Sequence, residues 1–124
     1  EAEWEKGARG VDGRRYPWGN QPPTVEFVNF DGPTPVGYYS PQADSPFGCA
    51  DMAGNVWEWT RSAYHPYPYD PADGREEPGG NQARVVRGLT FNNPPQLTRS
   101  SCRYRLQPQL SLPSLGFRIV VSPP

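Results

Sequence analysis

Residues 51–59 read DMAGNVWEW: an acidic residue, a Gly54-Asn55 turn, then apolar and charged side chains in alternation. Period-two alternation is the mark of a half-buried strand, and here it sets Glu58 between Trp57 and Trp59. A glutamate flanked by two indoles is either an exposed strand residue paired with an arginine or a carboxylate held inside for a reason. On these nine residues alone both readings stand.

Working outward, NVWEWT at 55–60 predicts a strand, and so does ARVVRG at 83–88, which ends at Gly88. A third strand is expected at GFRIVV, 116–121, and a shorter one at TVEFVNF, 24–30, where Val25 and Phe27 alternate with Glu26 and Val28. The segment TRSSCRYRL, 98–106, fits a helix or a strand equally well. At the start, EAEWEKGAR has the pattern of an amphipathic helix, with Ala2, Trp4 and Ala8 available for burial. No Ser, Thr, Asp or Asn precedes it as an N-cap. Between these elements run proline- and glycine-punctuated loops, the longest at 61–82 with prolines at 66, 68, 71 and 78.

The 124 residues suit one domain. Seventeen prolines and 13 glycines approach low-complexity levels, but four Trp, seven Tyr and five Phe are spread along the chain. Disordered segments are poor in aromatics, so a folded, loop-rich domain follows. Twelve basic and 13 acidic residues leave a net charge of −1, which gives no field for nucleic acid or an anionic membrane. No apolar run reaches membrane-spanning length, and the first ten residues lack the apolar stretch of a signal peptide. The two cysteines, Cys49 and Cys102, read as small buried hydrophobes rather than a disulfide framework, and the single His65 allows no ordinary zinc site.

EAEWEKGARG, RRYPWGN, TPVGYYSPQADSPFGCADMAGNVWEWT, RVVRG and LGFRIVV follow one another in that order. Together they resemble the sulfatase-modifying-factor family, whose best-known members are the formylglycine-generating enzymes. The resemblance implies an α+β domain with the family's variant of the C-type lectin fold, loop-rich with small antiparallel sheets. The family domain has a further stretch before EAEWE, so 1–124 is expected to be the C-terminal part of one such domain. The resemblance also implies a structural calcium ion on the 51–59 loop, held by the side chains of Asp51 and Glu58 and the carbonyls of Gly54 and Val56. Two carboxylates and two carbonyls form the hard-oxygen set that calcium takes. A second family calcium site uses an Asn-containing stretch like VNF, but Asn29 alone makes no site.

The chain departs from the family where the chemistry would be. Formylglycine-generating enzymes bind copper through two cysteines between the RGG strand end and the RYR segment. Only Cys102 is present here, and one thiolate cannot make a two-coordinate copper(I) site, so no copper is expected. Related iron-dependent sulfoxide synthases carry their metal ligands in a separate helical domain. No Ser-His-Asp set, carboxylate pair or phosphate-cradling loop can be placed in the sequence, and His65 and Asp70 read as solvated loop residues. The expectation is therefore a non-catalytic domain.

The same segment keeps a frame, Arg87, Gly88, Arg103, Arg105, Gly116, Phe117 and Arg118, while the family's Asn-rich positions hold Leu106, Gln109, Leu110, Ser111, Leu112, Pro113 and Ser114. A fixed frame with scrambled Asn positions resembles the variable proteins of diversity-generating retroelements. Gln96, Gln107 and Gln109 fit that origin less well, since adenine mutation of an Asn codon does not reach Gln. Residues 89–114 are thus the expected variable ligand-binding region, for a protein or glycan partner. Its contacts are expected at Leu89, Phe91, Asn92, Gln96, Leu97, Ser101, Cys102, Tyr104, Leu106, Leu110, Leu112 and Ser114. The alternatives are leucines turned into the core, a degenerate or partner-dependent copper oxidase, and a fixed sensor or accessory domain of a multidomain protein.

Overall fold

The computed structural model describes residues 1–121. Regular structure is sparse: helix α1 at Ala2–Arg9, then strands β1 (Trp57–Ala63), β2 (Arg84–Arg87), β3 (Arg103–Leu106) and β4 (Leu115–Gly116), with one 3₁₀ turn at Pro95–Leu97. The strands form a single sheet in the order β3-β2-β1-β4. Pairing is antiparallel between β1 and β2, with Glu58 opposite Arg87, and between β2 and β3, with Arg87 opposite Arg103. β1 and β4 run parallel, with Glu58 opposite Gly116, so the sheet is mixed rather than wholly antiparallel as expected.

The valines of β2 explain why it lies second in the sheet. Val85 and Val86 point to opposite faces, and both are fully buried. On one face sits α1, whose Trp4 and Ala8 pack with Met52 and Cys49; Ala2, the third expected anchor, is exposed. Glu1 stands at the N-cap of the helix and its side chain makes no capping hydrogen bond, as the sequence predicts. On the other face Trp57 lies against Tyr104, ring centroids 6.0 Å apart. Both cysteines are free and half-buried.

Two strand expectations fail for local reasons. At 24–30 the amides of Phe27 and Val28 both donate to the Thr24 carbonyl, closing turns where an extended chain was expected. At 116–121 only Leu115–Gly116 pairs; among the described residues beyond it, Phe117, Ile119, Val120 and Val121 stay exposed. The ambiguous 98–106 segment resolves into turns followed by β3.

Gly54 is where the 51–59 loop meets the rest. Its φ is +75°, its amide donates to the Gly88 carbonyl at 2.7 Å, and an added Cβ would lie 2.2 Å from Val28 Cγ2. Val28 is buried, so it has nowhere to go. Gly54→Ala is expected to cost about 3 kcal/mol, from left-handed strain plus overpacking. Gly32→Ala is the control: φ is +78° but nothing lies within 4 Å, so only the strain, about 1 kcal/mol, should appear. Equal chemical-denaturation midpoints for the two variants would refute the packing argument.

Candidate functional site

The segment between the 3₁₀ turn and β3 carries the expected contacts Ser101 and Cys102, and it is tied to α1 by arginines. Arg87, at the end of β2, is fully buried. It donates to Glu5 Oε2 at 2.7 Å, to Glu1 Oε1 at 3.3 Å, and to the carbonyls of Ser100 and Ser101 at 2.8 and 3.4 Å. Its guanidinium lies over the Trp4 ring, 5.2 Å from the centroid. Arg103, opposite it on β3, grips both oxygens of Glu1 at 2.6 and 2.7 Å. Charges placed in low dielectric must be paired, and here two arginines meet two carboxylates at one junction.

Against this junction opens a cavity of about 560 Å³. α1 lines it with Glu1, Ala2, Glu5, Lys6, Arg9 and Gly10, and Tyr67, Tyr69 and Ser101 complete it. The two tyrosines are held by the HPYPY loop. Arg75, nearly all of it buried, donates to Asp73 and to the carbonyls of Pro66 and Pro68, and it stacks over Tyr69 at 4.6 Å. His65 Nδ1 lies 3.0 Å from the same Asp73. Hydrogen bonding from Arg75 holds the Asp73 carboxyl well below the usual carboxylate range. Asp73 therefore stays ionised and keeps the loop pinned at any pH near neutral.

Cys102 is half-buried beside Ser101, and burial pushes its thiol pKa up. A protonated thiol is a poor soft-metal ligand. No group of three His, Cys, Asp or Glu that would hold a metal occurs among the described residues, so the residues here do not fit a copper or iron centre of their own.

The 51–59 loop answers its opening question with a guanidinium. Glu58, only 6% exposed, receives Arg118 Nε on Oε2 and Arg118 Nη2 on Oε1, each at 2.6 Å, and the Trp4 indole N–H on Oε2 at 2.6 Å. Arg118 Nη2 also donates to the carbonyls of Ala50 and Asp51 at 3.1 and 3.3 Å. The Asp51 carboxylate accepts from the Gly37 amide at 2.7 Å. Glu58 is thus neither the exposed residue of one reading nor a free calcium ligand of the other. Of the expected calcium ligands Asp51, Gly54, Val56 and Glu58, the Glu58 carboxylate is engaged by Arg118 and Trp4 and the Asp51 carboxylate by the Gly37 amide, so the cation on Glu58 in this structure is a guanidinium.

Of the expected contacts in 89–114, Leu89 is corrected outright. It is 1% exposed with φ +64°, because the chain turns left-handed after Gly88 and drives the side chain inward. Phe91, Cys102, Leu106 and Ser114 are half-buried, while Asn92, Gln96, Leu97, Ser101, Tyr104, Leu110 and Leu112 are exposed. Tyr104 is 56% and Leu110 44% exposed, so these side chains are not core. Only Ser101 of the twelve lines the cavity at α1. The sequence reading missed Tyr67, Tyr69 and the α1 carboxylates there; the tyrosine–proline alternation at 66–69 was the available signal.

The family model for the sulfatase-modifying factor enzyme 1-like domain matches residues 1–123. The chain belongs to that family. Its curated relatives include hercynine oxygenase of Mycobacterium tuberculosis, 40% identical over 83% of this chain and 27% of that protein. They also include the formylglycine-generating enzyme of Streptomyces coelicolor, 34% identical over 95% and 44%. A third is the inactive C-alpha-formylglycine-generating enzyme 2 of Mus musculus, 32% identical over 98% and 42%. Among solved structures, PvdO from Pseudomonas aeruginosa superposes with a TM-score of 0.75 at 27% identity, over 94% of this chain and 48% of that one. Treponema denticola variable protein 1 gives 0.70 at 21%, over 94% and 44%, a likeness of fold. The chain therefore spans less than half the length of each. Named enzymes among these relatives overturn the expectation that the chain is not enzymatic. The missing copper pair, on which that expectation rested, distinguishes this member from one branch of the family and not from its enzymes as a whole.

Proposed function

We propose that this chain supplies substrate-binding surface to an oxygen-using enzyme of the hercynine-oxygenase type, with metal ligands contributed by protein outside these residues. The observation that carries it is the pairing of 40% identity to such an oxygenase with an open cavity at Ser101 that has no metal-ligand set of its own. The charged rim of Glu5, Lys6 and Arg9 with the Tyr67 and Tyr69 rings suits a small zwitterionic aromatic substrate. The test is oxygen uptake by the full-length protein, supplied with iron(II), a thiol and hercynine. Uptake dependent on hercynine is expected, and Ser101→Trp, which fills the cavity, should raise KM by about tenfold or more. Uptake indifferent to hercynine, or to the tryptophan, overturns the reading.

A second reading is favoured by the exposure of Tyr104, Leu110 and Leu112 on a segment whose frame residues Arg87 and Arg103 are locked in ion pairs. Such a surface can change side chains without disturbing the scaffold, as a retroelement-diversified ligand-binding protein requires. Sequencing codons 84–121 across a population of the source would show substitutions confined to exposed positions of 89–114; a uniform sequence would remove this reading.

A further inference from the structure

A second cavity, of about 500 Å³, is lined by Tyr64, His65, Gln82, Ala83, Arg105 and Gln107. Tyr67 lines the first cavity and Tyr64 the second, and the two share no lining residue. Arg103 and Arg105 share a face of β3, as residues two apart in a strand do, and both guanidinium groups stack on Tyr64, at 4.3 and 5.0 Å. Their circumstances then diverge. Arg103 is neutralised by Glu1 and donates to the His65 carbonyl at 2.9 Å. Arg105 has no side-chain hydrogen bond or ion pair among the described residues, and it lines the cavity. Two nearby carboxylates are already committed, Asp73 to Arg75 and His65, and Glu1 to Arg103 and Arg87.

We propose that this second cavity binds the carboxylate of an acidic sugar, with Arg105 as its anchor. A planar guanidinium is complementary to a carboxylate, which it grips with two parallel hydrogen bonds. Stacking on Tyr64 restricts its orientation beforehand, which reduces the ordering cost of binding. The Gln82 and Gln107 carboxamides offer both donors and acceptors next to it, the pattern that hydroxyl groups match. Arginine already covers the Tyr64 ring, so the lining favours a ligand that is polar around its carboxylate. The proposal is independent of the oxygenase reading and uses different residues.

The test is titration of the full-length protein with glucuronate, glucuronamide, glucose and inorganic sulfate, followed by heat or by chemical shift. Glucuronate is expected to bind at least about tenfold tighter than its amide, the worth of one charge-assisted contact. Arg105→Gln should remove that preference, and Arg105→Lys should retain part of it. Equal binding of acid and amide, or a preference surviving Arg105→Gln, overturns the proposal. Sulfate binding as tightly as glucuronate overturns it too, in favour of an unselective anion contact. Arg105 is exposed, so the variants should fold, and an unchanged melting temperature checks this.

Discussion

Arg118→Ala is expected to destabilise the protein by about 3 kcal/mol, the lower end of what removal of one partner from a buried ion pair costs. Glu58 is almost wholly buried and accepts two of its three hydrogen bonds from Arg118. With the guanidinium gone, the Trp4 indole alone faces a desolvated carboxylate, and the Ala50 and Asp51 carbonyls lose a donor. Arg118 keeps roughly a quarter of its side chain exposed, which lets water enter and holds the loss to the lower end. On a domain this size the melting temperature should fall by about 10 °C. Adding Glu58→Gln to the variant should restore part of the loss, because the uncompensated charge goes with it; coupling of neighbours through one network is the rule. Calcium tests whether a metal ion can replace Arg118 on Glu58. A divalent ion binding only the folded state at a hundred times its Kd would add about 2.7 kcal/mol. The expected result is the same melting temperature in millimolar calcium and in chelator. A clear rise with calcium would mean that the ion displaces Arg118, and Glu58 would then be a metal ligand rather than the partner of a guanidinium.

What could be read from the sequence follows from how far each signal travels along the chain. Helix α1, β1 and β2 rest on local periodicity, and Trp4, Ala8, Val85 and Val86 lie where the pattern puts them. The 24–30 segment has the same alternation, yet turns closed by the Thr24 carbonyl win, since its loop context offers no strand to pair with. Glu58 was marked as unusual by its two tryptophans, but its partner lies 60 residues away, and separation of that kind leaves no trace in spacing. Arg118 was visible only as a frame residue of the family pattern. Leu89 failed for a conformational reason: a left-handed φ at a non-glycine residue is rare, and it reverses the side chain relative to the strand before it. The cavity at Ser101 gathers α1, the 64–69 loop and the 100–102 turn, which only the fold brings together.

The junction beneath that cavity should be more sensitive still. Arg87→Ala is expected to cost about 4 kcal/mol, from two carbonyls left without their donor and a void opened beside Trp4. Buried ion pairs are not stabilising in themselves, since well-packed apolar replacements of a whole pair can do as well. The cost here arises from the carbonyls and the space that Arg87 leaves behind, not from an unpaired carboxylate. Glu1 keeps Arg103, and Glu5 keeps Arg9 at 3.3 Å, but the carbonyls of Ser100 and Ser101 lose their donor inside the protein. Arg87→Met separates the causes, because it fills much of the channel and supplies no hydrogen bond; its loss should lie between wild type and alanine. Arg87→Lys keeps the charge, but a single ammonium cannot span Glu5 and both carbonyls as the planar fork does, so it too should fall short. A spectroscopic readout distinguishes this from general weakening. Loss of the stacked guanidinium should shift Trp4 emission, and amides 100–102 should exchange faster than those of β2. If Arg87→Ala melts within about 2 °C of wild type, less than the shift expected for 1 kcal/mol, then Arg87 does not hold α1 to the 100–102 turn. The cavity at Ser101 would then have to be shaped by the Arg103–Glu1 contact and the HPYPY loop without it.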